Sequence, residues 1–230
     1  MSRKGTMKEY TIESQSLQET MTLKVYLPEG FSPLYKYHMC IMQDGNDYFQ
    51  LGRVASLSDQ LHEQDKITNT IFVGIHYKDK FDRREKYHPS GKQNQAYTHF
   101  LIREVVPFLD DLFPTLHMGQ SRTLMGDSLA GTLALMTALR YPNTIGNVIM
   151  QSPYVDEIVS NTVKRSKDIS SLDIYHTIGT EETVVHTTDG TKDDFLTPNR
   201  KLNRLLSAKG SSYIYHELEG PHTWNLGKKT

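Results

Sequence analysis

The alternation of apolar and polar positions divides this chain into strands and helices. Runs with a period of two, or with continuous apolar residues, predict strands over residues 10–17, 21–27, 37–42, 70–75, 121–125, 147–151, 172–178 and 213–218. Positions with helical spacing predict helices over residues 48–63, 97–113, 129–139 and 195–208. Two polar stretches, 78–95 and 153–171, are predicted to be irregular and to lie on the surface.

The order of these elements indicates a fold class. A short polar turn joins the first two strands, which predicts an antiparallel hairpin, and strands then alternate with helices. This order predicts an α/β protein with a mostly parallel sheet and helices on both faces. No repeat, low-complexity linker or shift in composition interrupts the sequence, so residues 1–230 are expected to form one domain.

One stretch between a predicted strand and a predicted helix carries a candidate nucleophile. Residues 124–131 read LMGDSLAG and place Ser128 between small residues. This layout is typical of a nucleophile elbow, in which Gly126 is needed because strand and helix nearly touch. Ala130 stands where the G-x-S-x-G pattern has its second glycine, so the elbow is a variant. The alternative is a serine that caps an ordinary helix.

Composition excludes several classes of function. The formal net charge of −1 gives no electrostatic reason to expect binding to nucleic acid or to an anionic membrane. No apolar run approaches the roughly 18 residues of a membrane-spanning helix, and no apolar core follows the basic N-terminal residues, so no signal peptide is predicted. The lone Cys40 lies in an apolar run and is interpreted as a packing residue. A cytoplasmic protein is therefore expected.

A serine nucleophile needs an imidazole that accepts its proton. His222 lies on a turn just after the last predicted strand, where a loop can deliver its ring to the serine. His176 and His216 lie within predicted strands and are interpreted as packing or surface residues, and His186 as a solvated loop residue.

The acid that orients the imidazole should follow the strand at 172–178. Glu182, Asp193 and Asp194 all follow this strand, and the two aspartates could instead cap the helix that starts near residue 195. A serine, then an acid, then a histidine along the chain is the order found in α/β-hydrolases. The turn at residues 44–47 lacks the spacing of an EF-hand, and no H-E-x-x-H or C-x-x-C motif is present. We therefore expect neither a metal ion nor a cofactor.

Four segments give the chain a family resemblance. They read MQDGN at 42–46, RRE at 83–85 with FLIREVVP at 100–107, GDSLAG at 126–131, and GPHTW at 220–224. Together they resemble the "putative esterase" family of α/β-hydrolases, which includes S-formylglutathione hydrolase, ferric-enterobactin esterase, feruloyl esterases and mycolyl-transferring antigens. The sequence departs from the family pattern at Ala130 and in its short tail after His222.

The resemblance implies an α/β-hydrolase fold and a serine carboxylesterase that acts on small acyl or aryl esters. It implies Ser128 as nucleophile, His222 as base and Glu182 as the favoured acid, followed by Asp194 and then Asp193. The backbone amides of Leu129 and Asn46 would form the oxyanion hole. S-formylglutathione and a siderophore lactone are alternative substrates, and a non-catalytic binding protein is the alternative from another class.

The two polar stretches are expected to line the substrate pocket, because both leave the carboxyl ends of strands beside Ser128. They contain no long apolar run from which a lipase lid could be built. The side chains expected in the pocket are Tyr77, Phe81, Tyr87, His88, Tyr154, Val155 and Ile158.

Overall fold

The computed structural model describes residues 4–167, 169–187 and 190–223. Its strands are β1 (Thr6–Ser14), β2 (Glu19–Leu27), β3 (His38–Gln43), β4 (Thr70–Ile75), β5 (Arg122–Asp127), β6 (Asn147–Gln151), β7 (Asp173–Gly179), β8 (Val185–His186), β9 (Lys192–Asp193) and β10 (Ser212–Leu218). Its helices are α1 (Gly45–Gln50), α2 (Val54–Glu63), α3 (Lys80–Tyr87), α4 (Asn94–Phe100), α5 (Val106–Leu112), α6 (Leu129–Arg140), α7 (Glu157–Arg165) and α8 (Leu196–Ser207).

Eight strands form one sheet in the order β1-β2-β4-β3-β5-β6-β7-β10. The hairpin of β1 and β2 is antiparallel, as is the pairing of β2 with β4, and every other pair in this sheet is parallel. This mostly parallel sheet with an antiparallel N-terminal hairpin confirms the predicted fold class. Strands β8 and β9 form a separate short hairpin after β7.

The central strands are buried because their apolar runs face helices on both sides of the sheet. Ile41, Val73, Leu124 and Val148 are at most 1% exposed and belong to one continuous core. Helix α6 packs its small and apolar residues against β5 and β6 in the same core. Parallel strands covered on both faces are expected to have such continuous apolar sequences.

The prediction of an irregular stretch over residues 78–95 was wrong, because helix α3 lies within it. Asp79 caps this helix by accepting hydrogen bonds from the N–H groups of Phe81 and Asp82. The buried face of the helix includes Arg83 and Lys86, and Lys86 lies 2.8 Å from an Asp82 carboxylate oxygen. A buried face that contains paired charges lacks the regular spacing of apolar residues. Hydrophobic spacing in the sequence therefore does not predict this helix.

Three further differences from the prediction concern helices, and the first strand, predicted over 10–17, is Thr6–Ser14. Helix α7 lies within the stretch 153–171, which was predicted to be irregular, and Asp156 caps it through the Val159 N–H. The helix predicted over 48–63 is two helices, because the backbone turns left-handed at Arg53 with φ 54°. The helix predicted over 97–113 begins at Asn94 and ends at Leu112, with a wide π-helical turn over Leu101–Val105.

Ser128, Glu182 and His222 all follow the carboxyl ends of parallel strands, namely β5, β7 and β10. Loops at this edge of an open α/β sheet form the usual place for a binding or catalytic site. In the part of the chain described, no helix is both long enough and apolar enough to cross a membrane.

Candidate active site

Ser128 lies on a strained turn between β5 and α6. Its backbone has φ 56° and ψ −124°, a conformation that side-chain-bearing residues rarely adopt. Its N–H donates to the Gln151 carbonyl at 2.9 Å, and its own carbonyl accepts from the N–H of Thr132 at 3.1 Å. Although Ser128 is the N-cap residue of α6, its side chain makes no capping hydrogen bond. The geometry is that of an elbow and differs from that of an ordinary capping serine.

Two glycines allow the strand and the helix to approach each other at this turn. A Cβ built on Gly126 would lie 2.3 Å from the carbonyl carbon of Ala130, and one built on Gly131 would lie 2.9 Å from the Gly126 oxygen. Both contacts are with backbone, which cannot move aside cheaply. Ala130 is fully buried and belongs to the hydrophobic core.

Glu182 and His222 form a hydrogen-bonded pair beside this turn. The Nδ1 atom of His222 lies 2.6 Å from Glu182 Oε2. Because an ionised carboxylate can only accept, Nδ1 carries the proton and, in the neutral ring, Nε2 keeps its lone pair. Ser128 and His222 line the same cavity. The ring that carries the basic Nε2 atom therefore shares this cavity with Ser128.

The carboxylate of Glu182 is buried and held on its other oxygen. Glu182 is 1% exposed, and its Oε1 accepts from the Ser152 hydroxyl at 2.6 Å and from the Gly179 N–H at 2.8 Å. The Glu182 carbonyl accepts from the N–H groups of Phe195 and Leu196. Both the side chain and the backbone of this residue are therefore fixed.

The alternative acid Asp194 has a different environment. It is exposed, and its Oδ1 accepts from the Thr197 N–H at 3.0 Å at the start of α8. These helix-start hydrogen bonds outweigh desolvation and lower its pKa. Asp194 thus acts as a helix cap, whereas the second alternative, Asp193, lies on β9 and lines the cavity.

The pKa of His222 reflects opposing effects. Burial disfavours the charged ring, but the hydrogen bond to Glu182 and the charges of Asp127 and Glu182 raise the pKa above its usual value. Asp127 immediately precedes the serine, and removal of its carboxyl group from water raises its own pKa to about 6, against the opposing pull of His222 and Arg83. An ionised Asp127 therefore adds a second negative charge close to the imidazole.

Leu129 and Asn46, the two predicted oxyanion donors, are placed differently. Leu129 is the first residue of α6, so its N–H has no acceptor within the helix, and the residue lines the cavity. Asn46 lies in the first turn of α1 and lines a neighbouring depression, where its Oδ1 accepts from Lys24 Nζ at 2.7 Å. The structure thus brings Leu129 to the serine, whereas Asn46 does not line the serine's cavity.

A buried ion pair joins the turn after β3 to the elbow. Arg83 donates to both carboxylate oxygens of Asp44, at 2.9 and 2.6 Å, and also to the Asp127 carbonyl at 3.2 Å. Gly45 permits this turn to pack tightly, since a Cβ there would lie 2.4 Å from the Gly74 Cα. The sequence motif had included Arg83 without assigning it a contact, because nothing in the motif indicates which partner it has.

The cavity around Ser128 has a volume of about 320 Å³. Of the side chains expected to line it, Tyr77, His88 and Tyr154 do so. The expectation was wrong for Phe81 and Tyr87, because Phe81 is 70% exposed and Tyr87 belongs to the buried core. Val155 lines an adjacent depression and Ile158 is 44% exposed on α7.

The three other histidines considered as bases, and the cysteine, lie in different environments. His176 is fully buried between Asn199 and Tyr213, and burial lowers its pKa to about 4. His216 is exposed and contacts the Tyr175 ring, while His186 lines the cavity from β8. Burial raises the pKa of Cys40 to about 12. Within the described ranges, no three His, Cys, Asp or Glu residues are grouped as metal ligands.

Trp224, part of the motif that contains His222, lies outside the described residues. Sequence reasoning also missed Ser152 and Asp127 as neighbours of the acid and the imidazole. Ser152 follows a strand in an ordinary-looking Gln-Ser-Pro segment, and Asp127 occupies a position of the elbow motif that accepts any residue. Neither position lies in a local sequence pattern that predicts these contacts.

The sequence matches a family model and two proteins of Bacillus subtilis. Residues 14–226 match the model of the Esterase family, described as "Putative esterase". The uncharacterized protein YjcH of Bacillus subtilis (strain 168) is 52% identical over 222 residues, which cover 96% of this chain and 92% of YjcH. YbbA of the same organism is 23% identical over 175 residues, covering 69% of this chain and 67% of YbbA.

Solved structures show the same fold at low identity. The enterobactin esterase FES of Shigella flexneri, in the presence of enterobactin, superposes with a TM-score of 0.84 at 17% identity, covering 97% of this chain and 56% of that one. The chain thus spans little more than half the length of FES. The ferulic acid esterase of Anaeromyces mucronatus gives a TM-score of 0.76 at 17% identity, covering 97% of this chain and 87% of that one. On the family match and the identity to YjcH, the chain belongs to the putative esterase family and has the α/β-hydrolase fold.

Proposed function

We propose that this protein is a serine carboxylesterase that hydrolyses small esters through an acyl-enzyme intermediate. The observation that carries the proposal is the hydrogen-bonded pair of Glu182 and His222, which shares one cavity with Ser128 on its strained turn. Membership of the esterase family supports the class of reaction. A purely binding role would not require a buried carboxylate to be held against an imidazole at the nucleophile.

The reaction follows from the roles these groups can take. His222 Nε2 takes the proton of Ser128 as its Oγ bonds to the ester carbonyl carbon, and the Leu129 N–H stabilises the resulting oxyanion. The alcohol leaves with the proton from His222. Water, deprotonated by the same nitrogen, then attacks the acyl-enzyme, releases the carboxylic acid and restores Ser128. Glu182 stabilises the imidazolium formed in both steps.

The cavity indicates the size of the acyl group. Its apolar lining comes from a few side chains, namely Tyr77, Leu129, Tyr154, Val185 and Phe195, and charged residues occupy much of the remainder. A short aliphatic or single aryl group could make contacts with these side chains. Similar FES structures were solved in the presence of enterobactin or of 2,3-dihydroxy-N-benzoyl-glycine, and a similar Anaeromyces enzyme in complex with ferulic acid, so aryl esters are included in the proposed class. S-formylglutathione and a siderophore lactone belong in the same substrate panel.

The pH dependence should follow the protonation of His222. The ring must be neutral to accept a proton, so kcat/KM should rise as pH increases through its pKa, which lies above the usual 6.5. Asp127→Asn removes a charge that favours the imidazolium, so the midpoint of this rise should move to lower pH. Asp193→Asn, in the same cavity, is the control and should leave the midpoint in place. A midpoint that is unchanged or higher in the Asp127 variant would contradict this electrostatic account.

The identity of the acid can be tested by two isosteric variants. Glu182→Gln should lower kcat by roughly 10²- to 10⁴-fold, because a neutral amide cannot stabilise the imidazolium. Asp194→Asn should leave kcat nearly unchanged, and it should also preserve stability since asparagine caps helices as well as aspartate does. Steady-state kinetics on a chromogenic short ester measure both. The reverse pattern would identify Asp194, just before α8, as the acid.

Acyl-chain preference tests the proposed substrate size. Each methylene buried in the cavity contributes about 0.8 kcal/mol, or roughly fourfold in kcat/KM, and the gain stops where the cavity ends. We expect the highest kcat/KM for chains of roughly two to six carbons, on the same reasoning, and no jump when substrate exceeds its solubility limit. A rate that kept climbing through dodecanoate, or rose at an oil–water interface, would instead indicate a lipase.

A further inference from the structure

The segment that leaves β6, residues 151–154, lies between the nucleophile and the acid. On one side it holds the strained turn of Ser128. The Gln151 carbonyl accepts from the Ser128 N–H at 2.9 Å, and the Tyr154 N–H donates to the Ser128 carbonyl at 3.3 Å. Both backbone polar groups of Ser128 therefore have partners in this one segment.

On its other side the same segment holds the acid. The Ser152 N–H donates to the Thr177 carbonyl of β7 at 2.7 Å, and the Ser152 hydroxyl donates to Glu182 Oε1 at 2.6 Å. Ser152 is 5% exposed, so its hydroxyl does not exchange partners freely with solvent. Its backbone has φ 43°, in the left-handed region that favours glycine.

A buried residue of helix α8 also holds this segment. The carboxamide of Asn199, on α8, donates to the Pro153 carbonyl at 2.8 Å, and its oxygen lies 2.8 Å from His176 Nε2. Asn199 and His176 are fully buried. Hydrogen bonds thus hold the segment 151–154 on both sides, and this segment places the Ser152 hydroxyl against Glu182.

The hydroxyl has a specific chemical effect on the carboxylate. Ser152 and the Gly179 N–H both donate to Oε1, so Oε2 is the oxygen turned toward His222. Without the hydroxyl, Oε1 would keep one of these two donors, and rotation of the carboxylate would cost less. The direction of the hydrogen bond to His222 Nδ1, and therefore the direction of Nε2, would be less defined.

We propose that Ser152 is a positioning residue that fixes the orientation of Glu182 and, through it, of His222. The kinetic consequence of this proposal rests on the proposed function. The effect of Ser152 on the hydrogen bond between Glu182 and His222 can be measured without turnover. Ser152 is not among the residues that line the described cavity, so its removal should leave substrate binding intact.

The test uses two variants and a matched control. Ser152→Ala and Ser152→Gly both remove the hydroxyl, but alanine keeps the Cβ and therefore the strain of serine at φ 43°, whereas glycine relieves that strain. A role based on the hydroxyl predicts the same kinetic loss in both, whereas a role based on the strained backbone predicts a loss only in the glycine variant. Ser121→Ala is the control, because Ser121 is equally buried at 4% and donates one hydrogen bond, at 2.7 Å to the Met118 carbonyl, at the opposite edge of the sheet.

Two readouts separate positioning from general stability. With a chromogenic short ester, both Ser152 variants should lose roughly ten- to a hundredfold in kcat, with KM within about twofold, as expected for a lost hydrogen bond to a charged group. The second readout is the downfield proton resonance of His222 Nδ1–H in NMR spectra. It should shift or broaden in both Ser152 variants and remain as in the wild type in Ser121→Ala, although all three variants can lose a few degrees of Tm.

The outcomes distinguish failure of this proposal from failure of the proposed function. A wild type that hydrolyses no ester in the panel would overturn the proposed function, and the NMR resonance would then still decide the role of Ser152. An unchanged resonance in folded Ser152→Ala and Ser152→Gly would overturn the positioning role, as would kcat within twofold of the wild type. A change of equal size in Ser121→Ala would also overturn it, by showing a general effect of losing a buried hydroxyl.

Discussion

The contact between the backbones of β5 and α6 is the constraint on which the site depends. Gly126 faces Ala130 and Gly131 faces Gly126, so strand and helix lie close together, and Ser128 at the turn between them has a positive φ of 56°. That conformation is unfavourable for serine, and the surrounding hydrogen bonds from residues 151 and 154 must offset its cost of about 1–3 kcal/mol. The result is a hydroxyl at the carboxyl edge of the sheet and a free N–H of α6 beside it.

Two hydrogen-bonded pairs with buried carboxylates hold the loops around the site. The ion pair of Arg83 and Asp44 connects α3, the turn after β3 and the carbonyl of Asp127. The pair of Glu182 and His222 connects the loops after β7 and β10. Removing one member of such a pair leaves a buried charge without compensation, which costs more than the pair contributes when intact. Loops at the edge of the sheet are therefore held in place by charge as much as by apolar contact.

The sequence predicted those features that have a local physical cause. The strands at 70–75 and 147–151 appear with the predicted bounds, because buried strands require continuous apolar residues. The elbow was recognisable because close backbone approach requires glycine at a fixed distance from the serine. Helix α3 was missed because its buried face carries Arg83 and Lys86, whose burial depends on acidic partners elsewhere in the chain. Ser152 shows the same limitation, since its surroundings are set by strand order and not by neighbours in sequence.

The most direct test of the central claim, that Ser128 is an activated nucleophile, is covalent labelling with a fluorophosphonate followed by peptide mass spectrometry. The account predicts one adduct per chain, located on Ser128, and no adduct in Ser128→Ala of the same folded stability. Absence of an adduct in the folded wild type, or an adduct on a different residue, would contradict it.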